Sequence, residues 1–506
     1  MPTRAPSAAA PSEIRPVAFE SQVTIAQPPQ PPPDVPADDR LPVPRTPQPQ
    51  SFREEVAAPQ VPPVLGAPPA LPLDLPTALG LAQGQNPRIA FAQAQIAQAY
   101  AQNRAARVMW LPSLRAGMNY NKHEGRIQDV IGTNIETSRG AMYGGLGANA
   151  VGAGSPAIPG LYMQFHTTDA IYQPRITGYA LNARQQQGTA VANDQLLETA
   201  LAYVDLLEAL QREAIATQSL KHGEALVDLT ANFAKTGAGN QADADRASAA
   251  AALLRNEAVR AEEAIAVASA RLAQQLSADP SIPIAPQEST VVPIDLVPVE
   301  MFAGDLVATG LSNRPELAAS RALVGEAVSR LQREQHAPWL PSVVLGLSYG
   351  AFGAGRGGDI ARTGDRLDLD AIAWWELRNL GFGEAAARAN ASAQIQQARM
   401  REVETLDLVA REVVEAHAQV VARRKLIGVA EGGIQSAQQS YDRNLARIRN
   451  AQGLPIEVLQ SIQALDAAQR EYLRAVIDYN QAQFRLQRAL GWPVTVPISP
   501  AGASPG

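Results

Sequence analysis

One short motif occurs twice in the chain, as Trp110-Leu111-Pro112-Ser113-Leu114 and as Trp339-Leu340-Pro341-Ser342-Val343. Each copy follows a helical-looking run that opens on a proline, with Asn86-Pro87 before the first copy and Asn313-Arg314-Pro315 before the second. The recurrence of these landmarks in one order indicates an internal duplication, with a period far longer than that of a solenoid repeat.

Landmarks further along the chain also match without a gap. An aromatic or imidazole residue, a glycine and an arginine follow one another at equal spacings in both halves: Tyr203, Gly239 and Arg271 in the first, His417, Gly453 and Arg485 in the second. The duplication therefore extends over most of the chain.

The duplication predicts the domain organisation. We expect one structural repeat at residues 76–300 and a second at 301–495, each with a short helix, a β-hairpin and two long helices. Residues 1–75 are rich in proline and poor in apolar pattern, which predicts a disordered tail, and 496–506 should form a flexible carboxyl-terminal tail.

The composition excludes several classes of protein. A net charge of −6 without a clustered basic face argues against nucleic acid as a partner. The absence of cysteine excludes disulfides and thiolate chemistry. No run reaches the roughly 18 to 20 apolar residues of a membrane-spanning helix. Residues 1–19 hold no apolar stretch like that of a secretory signal, which an exported protein is expected to carry.

The helices of the second repeat should be very long. Apolar residues step by three and four along residues 381–450, at Leu406, Val409, Val413, Ala416, Val420, Ile427 and Ala430. Such a helix measures on the order of 100 Å. A return helix at about 455–490 should pair with it as an antiparallel coiled coil, and residues 178–278 should form the equivalent pair of the first repeat.

Segments with strand character lie between the helices. We predict one β-hairpin at about 112–172 and another at about 341–377, because apolar and polar residues alternate imperfectly there. Four of the five tryptophans, Trp110, Trp339, Trp374 and Trp375, border these segments. This placement is typical of an aromatic girdle at lipid headgroups, although the same rings could pack against the helices of a soluble protein.

The strand count predicts an oligomer. Four strands cannot close a barrel, and open sheet edges do not occur in hydrocarbon, so several copies must share one wall. The fold class expected is mainly α, with long antiparallel coiled-coil helices forming an α-barrel. A small transmembrane β part would add four strands per chain.

The duplicated order of helix, hairpin and paired long helices resembles the outer-membrane efflux protein family, also called TolC-like outer membrane factors. The motifs that carry the resemblance are the repeated Asn/Pro opening, the Trp-Leu-Pro-Ser motif and the closing Arg-Leu-x-x-Ala-Leu-Gly-Trp-Pro at 485–493. No single motif is specific, but their order and duplication are.

The resemblance implies a homotrimer with a 12-stranded β-barrel in the lipid of a Gram-negative-type outer membrane and a long helical barrel in the periplasm. It also implies a passive role in efflux or type I secretion, with a periplasmic adaptor and an inner-membrane transporter of RND or ABC type as partners. No catalytic residue, cofactor or metal site is implied.

Two turns that join the long helices are candidate adaptor-docking sites in such a protein. They contain Gly239, Asn240 and Gln241 in the first repeat and Gly453, Leu454, Pro455 and Ile456 in the second. The alternative is structural, because any helical hairpin needs a glycine-containing reversal.

Charged residues beside these turns are candidates for a gate. The resemblance implies that Asp243 or Glu457, repeated by threefold symmetry, could form an acidic ring in the lumen. An acid at a helix amino terminus also stabilises the helix dipole, which is the competing interpretation. Arg447 and Arg449 could pair with these acids or remain solvated.

Two rival hypotheses stay open at this stage. Gly346 to Gly350 fits the nucleophile-elbow pattern around Ser348, with Asp370 and His417 in hydrolase order, but a glycine-rich stretch follows where a helix is needed. A soluble coiled-coil scaffold, in which the strand-like segments are loops, is the second rival. We favour the channel.

Overall fold

The computed structural model describes residues 70–495, apart from 112, 115, 149–157, 160, 238, 289, 358–359, 361–362 and 451. Both predicted tails, up to residue 69 and from 496, lie outside the described residues. Residues 70–75 were predicted as part of the disordered tail, and this is wrong: Leu71–Leu73 form a strand, and Leu73 and Leu75 are buried. Their leucines anchor the start of the first repeat in its core.

Each repeat opens with two short helices joined at a proline. In the first repeat these are α1 (Leu75–Gln85) and α2 (Pro87–Arg107). Their counterparts in the second are α5 (Ala303–Asn313) and α6 (Pro315–His336). Proline suits the first helical position because its missing N–H has no intrahelical partner there.

Four long helices follow the duplicated plan. They are α3 (Thr167–Lys235), α4 (Gln241–Leu276), α7 (Phe382–Arg449) and α8 (Pro455–Ala489). With 69 residues, α3 is on the order of 100 Å long. It packs on α4 and α8, and α7 packs on α8, so the two helix pairs lie side by side with α4 and α7 at the outer edges.

The start of α3 differs from the sequence-based prediction, which ended the hairpin near 172 and began the helix near 178. The helix begins at Thr167 and contains Pro174 in its interior. The carbonyl of Pro174 accepts a hydrogen bond of 3.1 Å from Asn103 Nδ2 of α2. This contact from the neighbouring helix helps to fix a helical turn that proline would otherwise weaken.

The strands form one antiparallel sheet of four rows. The rows are β2 (Ser113–Leu114) with β3 (Ala116–Gln128), then β4 (Asn134–Ala148) with β6 (Leu161–His166), then β8 (Ser342–Arg356), and finally β9 (Thr363–Trp374). The short strand β5 (Ile158–Pro159) pairs antiparallel with the end of β4. β8 pairs with β4 and β6 on one side and with β9 on the other. The predicted fold class, long helices with four strand rows per chain, is confirmed.

A small second sheet was not predicted. β1 (Leu71–Leu73) pairs in parallel with β7 (Ile284–Pro286), which follows α4. The buried hydroxyl of Tyr203 donates a hydrogen bond of 3.0 Å to the carbonyl of Leu73. These contacts tie the beginning of the first repeat to its end.

The segment between the repeats is hydrogen-bonded along α8. The side-chain oxygen of Asn480 accepts a hydrogen bond of 2.8 Å from the amide of Ile294, and that of Gln483 accepts one of 2.9 Å from the amide of Val297. Both amide side chains are buried, and each satisfies a backbone amide of the segment. These hydrogen bonds hold the linker against the second helix pair.

No helix within the described part of the chain is long and apolar enough to cross a membrane.

Candidate functional site

In the middle of β8 and β9, the two faces of the sheet differ in polarity. Residues directly opposite each other across an antiparallel pair share a face. Leu345, Leu347 and Tyr349 of β8 therefore lie on the same face as Leu369 and Leu367 of β9. All five side chains are exposed, and Leu369 reaches 78%. Such a row of uncovered apolar side chains needs a non-aqueous neighbour.

The opposite face carries charge. Arg366 of β9 forms an ion pair of 2.9 Å with Asp368, and its guanidinium lies 5.1 Å from the ring centroid of Phe352. Successive strand residues alternate between faces, so these side chains lie on the side away from Leu367 and Leu369. The sheet thus separates an apolar side from a polar side.

The outer rows of the sheet have open edges in the single chain. β9 pairs only with β8 among the described strands, and β3 pairs with β4. Open edges present unpaired backbone donors and acceptors that can pair with another copy.

The four predicted girdle tryptophans all lie where the sheet meets the helices. Trp110, Trp339 and Trp375 are exposed, and Trp375 Nε1 donates a hydrogen bond of 3.3 Å to the carbonyl of Trp339. Trp374 differs, because it pairs opposite Ser342 on the polar face and its ring packs edge-on against His166, with centroids 6.4 Å apart. The exposed rings are therefore the three others.

The two helix-joining turns come together at the far end of the helices. A cleft of about 170 Å³ lies between them, lined by Gly239, Asn240, Gly453, Leu454 and Pro455, with Thr230, Phe233, Asp243 and Ile448 at its base. Five of the seven predicted docking residues, drawn from both repeats, thus share one surface. Leu454 is 60% exposed at this surface.

Both turn glycines are required by close packing. A Cβ on Gly239 would lie 2.9 Å from Cβ of Phe233, and one on Gly453 would lie 3.1 Å from Cβ of Arg447. Asn240 caps α4 by accepting a hydrogen bond of 3.1 Å from the amide of Ala242. These contacts fix the shape of the cleft rim. Gln241, the first residue of α4, is exposed and donates a hydrogen bond of 3.0 Å to Asp245. Ile456 is the second residue of α8.

The candidate gate residues make contacts within their own hairpins. Arg447 pairs with Glu457 at 3.2 Å, and Glu457 also accepts a hydrogen bond of 3.3 Å from the amide of Leu454 at the start of α8. Asp243 pairs with Arg246 at 3.2 Å on α4. Arg449 forms no ion pair with any described residue. Within the single chain Glu457 therefore caps the start of α8.

Two contacts that sequence reasoning missed join the helix pairs above the turns. Ser219 of α3 donates a buried hydrogen bond of 2.8 Å to Asp466 of α8. His222 of α3 stacks on Tyr441 of α7 with ring centroids 4.6 Å apart. Nothing in the local sequence marks these residues, because each contact depends on the relative rotation of two separate helix pairs.

A charged cluster at the junction of sheet and helices was also missed. Glu384, near the start of α7, is 2% exposed. Its Oε1 accepts hydrogen bonds from the amide (2.9 Å) and the Nε (3.0 Å) of Arg378. Although burial pushes the pKa of Glu384 upward, these bonds hold it below its ordinary value. The contact depends on a left-handed turn at Asn379 (φ 50°) and Leu380 (φ 56°). The local sequence does not predict this backbone conformation.

The hydrolase pattern has no catalytic geometry. Ser348 lies inside β8, and no helix follows it directly. His417 lies about 50 Å along α7 from the sheet junction. The fold therefore does not bring His417 near Ser348. The side chains of Ser348 and Asp370 are not among those that the structure describes.

The fold is shared with known channels. No family model matches the sequence, and no curated protein matches it either. The chain is similar to the outer-membrane channel OprN, with TM-score 0.68 and 17% identity over 82% of this chain and 89% of that one. It is also similar to the outer membrane protein VceC from Vibrio cholerae, with TM-score 0.67 and 18% identity over 83% of this chain and 96% of that one. The Campylobacter jejuni CmeC outer membrane channel matches with TM-score 0.69 and 15% identity over 82% of this chain and 85% of that one. The chain has the TolC-like outer-membrane-factor fold.

Proposed function

We propose that the chain is the outer-membrane channel of a tripartite efflux or type I secretion system and conducts substrates passively. The observation that carries the proposal is the two-faced sheet with open edges, continued by helices on the order of 100 Å long. A wall with lipid on one side and water on the other needs this alternation.

Three copies would complete the wall. Four strand rows per chain give twelve in a trimer, and the edge at β9 would pair with the edge at β2 and β3 of the next copy. The helices offer a matching surface, because exposed apolar residues follow the outer helices α4 and α7. Val259 of α4 and Val429 of α7 both stand about 30 Å from the turns, so they could meet across the subunit boundary.

The sheet would then lie in the outer membrane, and the helices and turns would extend through the periplasm. In this orientation the cleft between the turns faces the inner membrane, where a periplasmic adaptor and an inner-membrane transporter would dock. The partly apolar cleft, with exposed Leu454 at its rim, provides a shaped surface for an adaptor helix hairpin. The known proteins of this fold named above are described as outer-membrane channels or outer membrane proteins, and we propose no catalytic activity.

Cross-linking tests the assembly directly, because the chain contains no cysteine of its own. The double variant Val259→Cys with Val429→Cys should give covalent dimers and trimers on oxidation in membranes. The matched control replaces Val429→Cys by Ile427→Cys, which is buried inside its own chain and should not cross-link.

Conductance and fractionation test the function. The purified protein should form ion-conducting pores in planar lipid bilayers and should need detergent for extraction from membranes. A detergent-free monomer without pore activity would instead support the soluble scaffold, the runner-up interpretation.

A further inference from the structure

A polar pocket of about 210 Å³ lies where the sheet meets the helices. Residues from five separate elements line it, namely Asp169 of α3, Arg333 of α6, Ser342 of β8, Arg378 before α7 and Glu384 of α7. Ser342 pairs opposite His166, another lining residue, on the polar face of the sheet. At roughly 30 Å³ per water molecule, the pocket can hold a small organic group.

The two arginines of the pocket are already neutralised. Arg333 donates to Asp169 at 2.5 Å and pairs with Glu334. Arg378 pairs with Glu334 at 2.8 Å and with Glu384 at 3.0 Å. Because both guanidinium groups are engaged, the pocket has no free positive charge for an anion.

Negative charge is left over. Oε2 of Glu384 is buried and has no hydrogen-bond donor among the described residues, although Oε1 of the same carboxylate accepts two. Glu376 also lines the pocket, and it is exposed and has no ion pair within the described part of the chain. A buried carboxylate oxygen without a donor is costly unless a ligand or solvent supplies one.

The chemistry of the ligand follows from these groups. No three His, Cys, Asp or Glu side chains among the described residues are arranged to hold a metal ion. A ligand that satisfies Glu384 Oε2 needs a compact N–H donor group, and the excess of carboxylates in the pocket favours a cation. We propose that this pocket binds the primary ammonium group of a small organic cation, through Glu384 Oε2 with Glu376 as a supporting charge.

The role of the site, though not its existence, rests on the proposed function. If the polar face lines the lumen, three copies of the pocket form a ring where the helical part of the duct passes into the strand part. Organic ammonium compounds would then be held there during passage.

Calorimetric titration of the detergent-solubilised full chain with ethylammonium chloride tests the site. We expect saturable binding with one site per chain, and no saturable binding of tetramethylammonium, which has the same charge but no N–H donor. Glu376→Gln should weaken ethylammonium binding about threefold, as for an exposed charge contact. Glu384→Gln should weaken it at least about tenfold.

The matched control is Glu404→Gln, an exposed carboxylate on α7 without an ion pair among the described residues, which should bind like the original chain. If Glu384→Gln does not fold, Glu376→Gln and the tetramethylammonium comparison still decide. Equal binding of both ammonium ions, equal effects of the Glu376 and Glu404 substitutions, or no saturable binding would overturn the proposal. Pore formation in bilayers, measured on the same preparation, shows separately whether the channel function holds.

Discussion

His222 and Tyr441 stack almost in parallel, with ring planes 17° apart, and they connect α3 of the first helix pair to α7 of the second. Tyr441 is buried. Burial lowers the pKa of His222, and the nearby charge of Asp442 opposes this only in part. The imidazole therefore favours its neutral form in the folded chain.

This stack should weaken in acid. The lowered pKa means that the unfolded chain binds more protons, so stability rises with pH and is lost as pH falls below the ordinary value of 6.5. We expect the melting temperature to fall between about pH 7.5 and about pH 5.5, and to fall less in His222→Phe, which keeps an aromatic ring without the titration. Thermal unfolding monitored by circular dichroism measures both. An identical pH dependence in the variant would remove His222 from the explanation.

Arg314 should be far more important for stability than an exposed arginine at the equivalent helix start. Its side chain is 3% exposed and pairs with Glu316 at 3.0 Å and Glu412 at 2.7 Å. Truncating one partner of a buried network leaves uncompensated charge, so Arg314→Ala should destabilise the chain by about 3 kcal/mol or more.

The matched control is Arg88→Ala in the first repeat. Arg88 pairs with Glu198 at 3.1 Å, but its side chain is 67% exposed. The loss should be below about 1 kcal/mol. Chemical denaturation of both variants measures the loss in the free energy of unfolding. Equal losses would show that burial does not determine how much these ion pairs contribute to stability.

Gly239 should resist substitution because of the close approach at the turn. Gly239→Ala places a Cβ 2.9 Å from Cβ of Phe233, so the turn must shift and the helix pair should unfold more easily near its tip. Gly84→Ala is the control, because Gly84 lies in α1 with open space around its Cβ position. That change should stabilise the helix by about 0.5 to 1 kcal/mol. Hydrogen exchange should show faster opening near the turn in Gly239→Ala alone.

An added charge should lower the yield of inserted protein on the apolar face of the sheet but not on the polar face. Leu369→Arg puts a cation on the apolar face, which costs about 2 to 4 kcal/mol at the middle of a bilayer. Gly364→Arg puts the same cation on the polar face, opposite Phe352, where its Cβ meets open space. We expect Leu369→Arg to reduce the yield of membrane-inserted protein strongly and Gly364→Arg to leave it nearly unchanged. Equal yields would contradict the assignment of lipid to the apolar face.

The sequence was informative where apolar periodicity was long. Val409, Val413 and Val420, which predicted the long seam of α7, are all fully buried. It was uninformative in β4, where the glycine-rich run after Arg139 lacks alternation, yet the register places it between β3 and β8. Glycine leaves no hydrophobic signal, so only strand pairing shows that this segment belongs to the wall.

Contacts between distant segments could not be predicted either. The parallel pair of β1 and β7 is three residues long and joins parts of the chain on either side of the first helix pair. The position of Glu384 depends on positive φ angles at Asn379 and Leu380, where neither residue is glycine. Short pairings and unusual backbone conformations are set by tertiary packing, which a local pattern does not contain.

Glu457 should show whether its charge reaches the conduction path or serves only as a helix cap. Its carboxylate is partly neutralised by Arg447 at 3.2 Å, with both groups partly exposed. If the carboxylate borders the lumen, Glu457→Gln should lower the preference for cations and Arg447→Gln should raise it, because each changes three charges per trimer in opposite directions. The double variant should return near the original value, since it removes the pair as a whole. Reversal potentials across a potassium chloride gradient in planar bilayers measure this preference.

Glu431→Gln, which changes an exposed acid further up α7, serves as the control and should have no effect on the reversal potential. If Glu457→Gln leaves the reversal potential unchanged and only lowers thermal stability, the residue is a cap and the gate lies elsewhere.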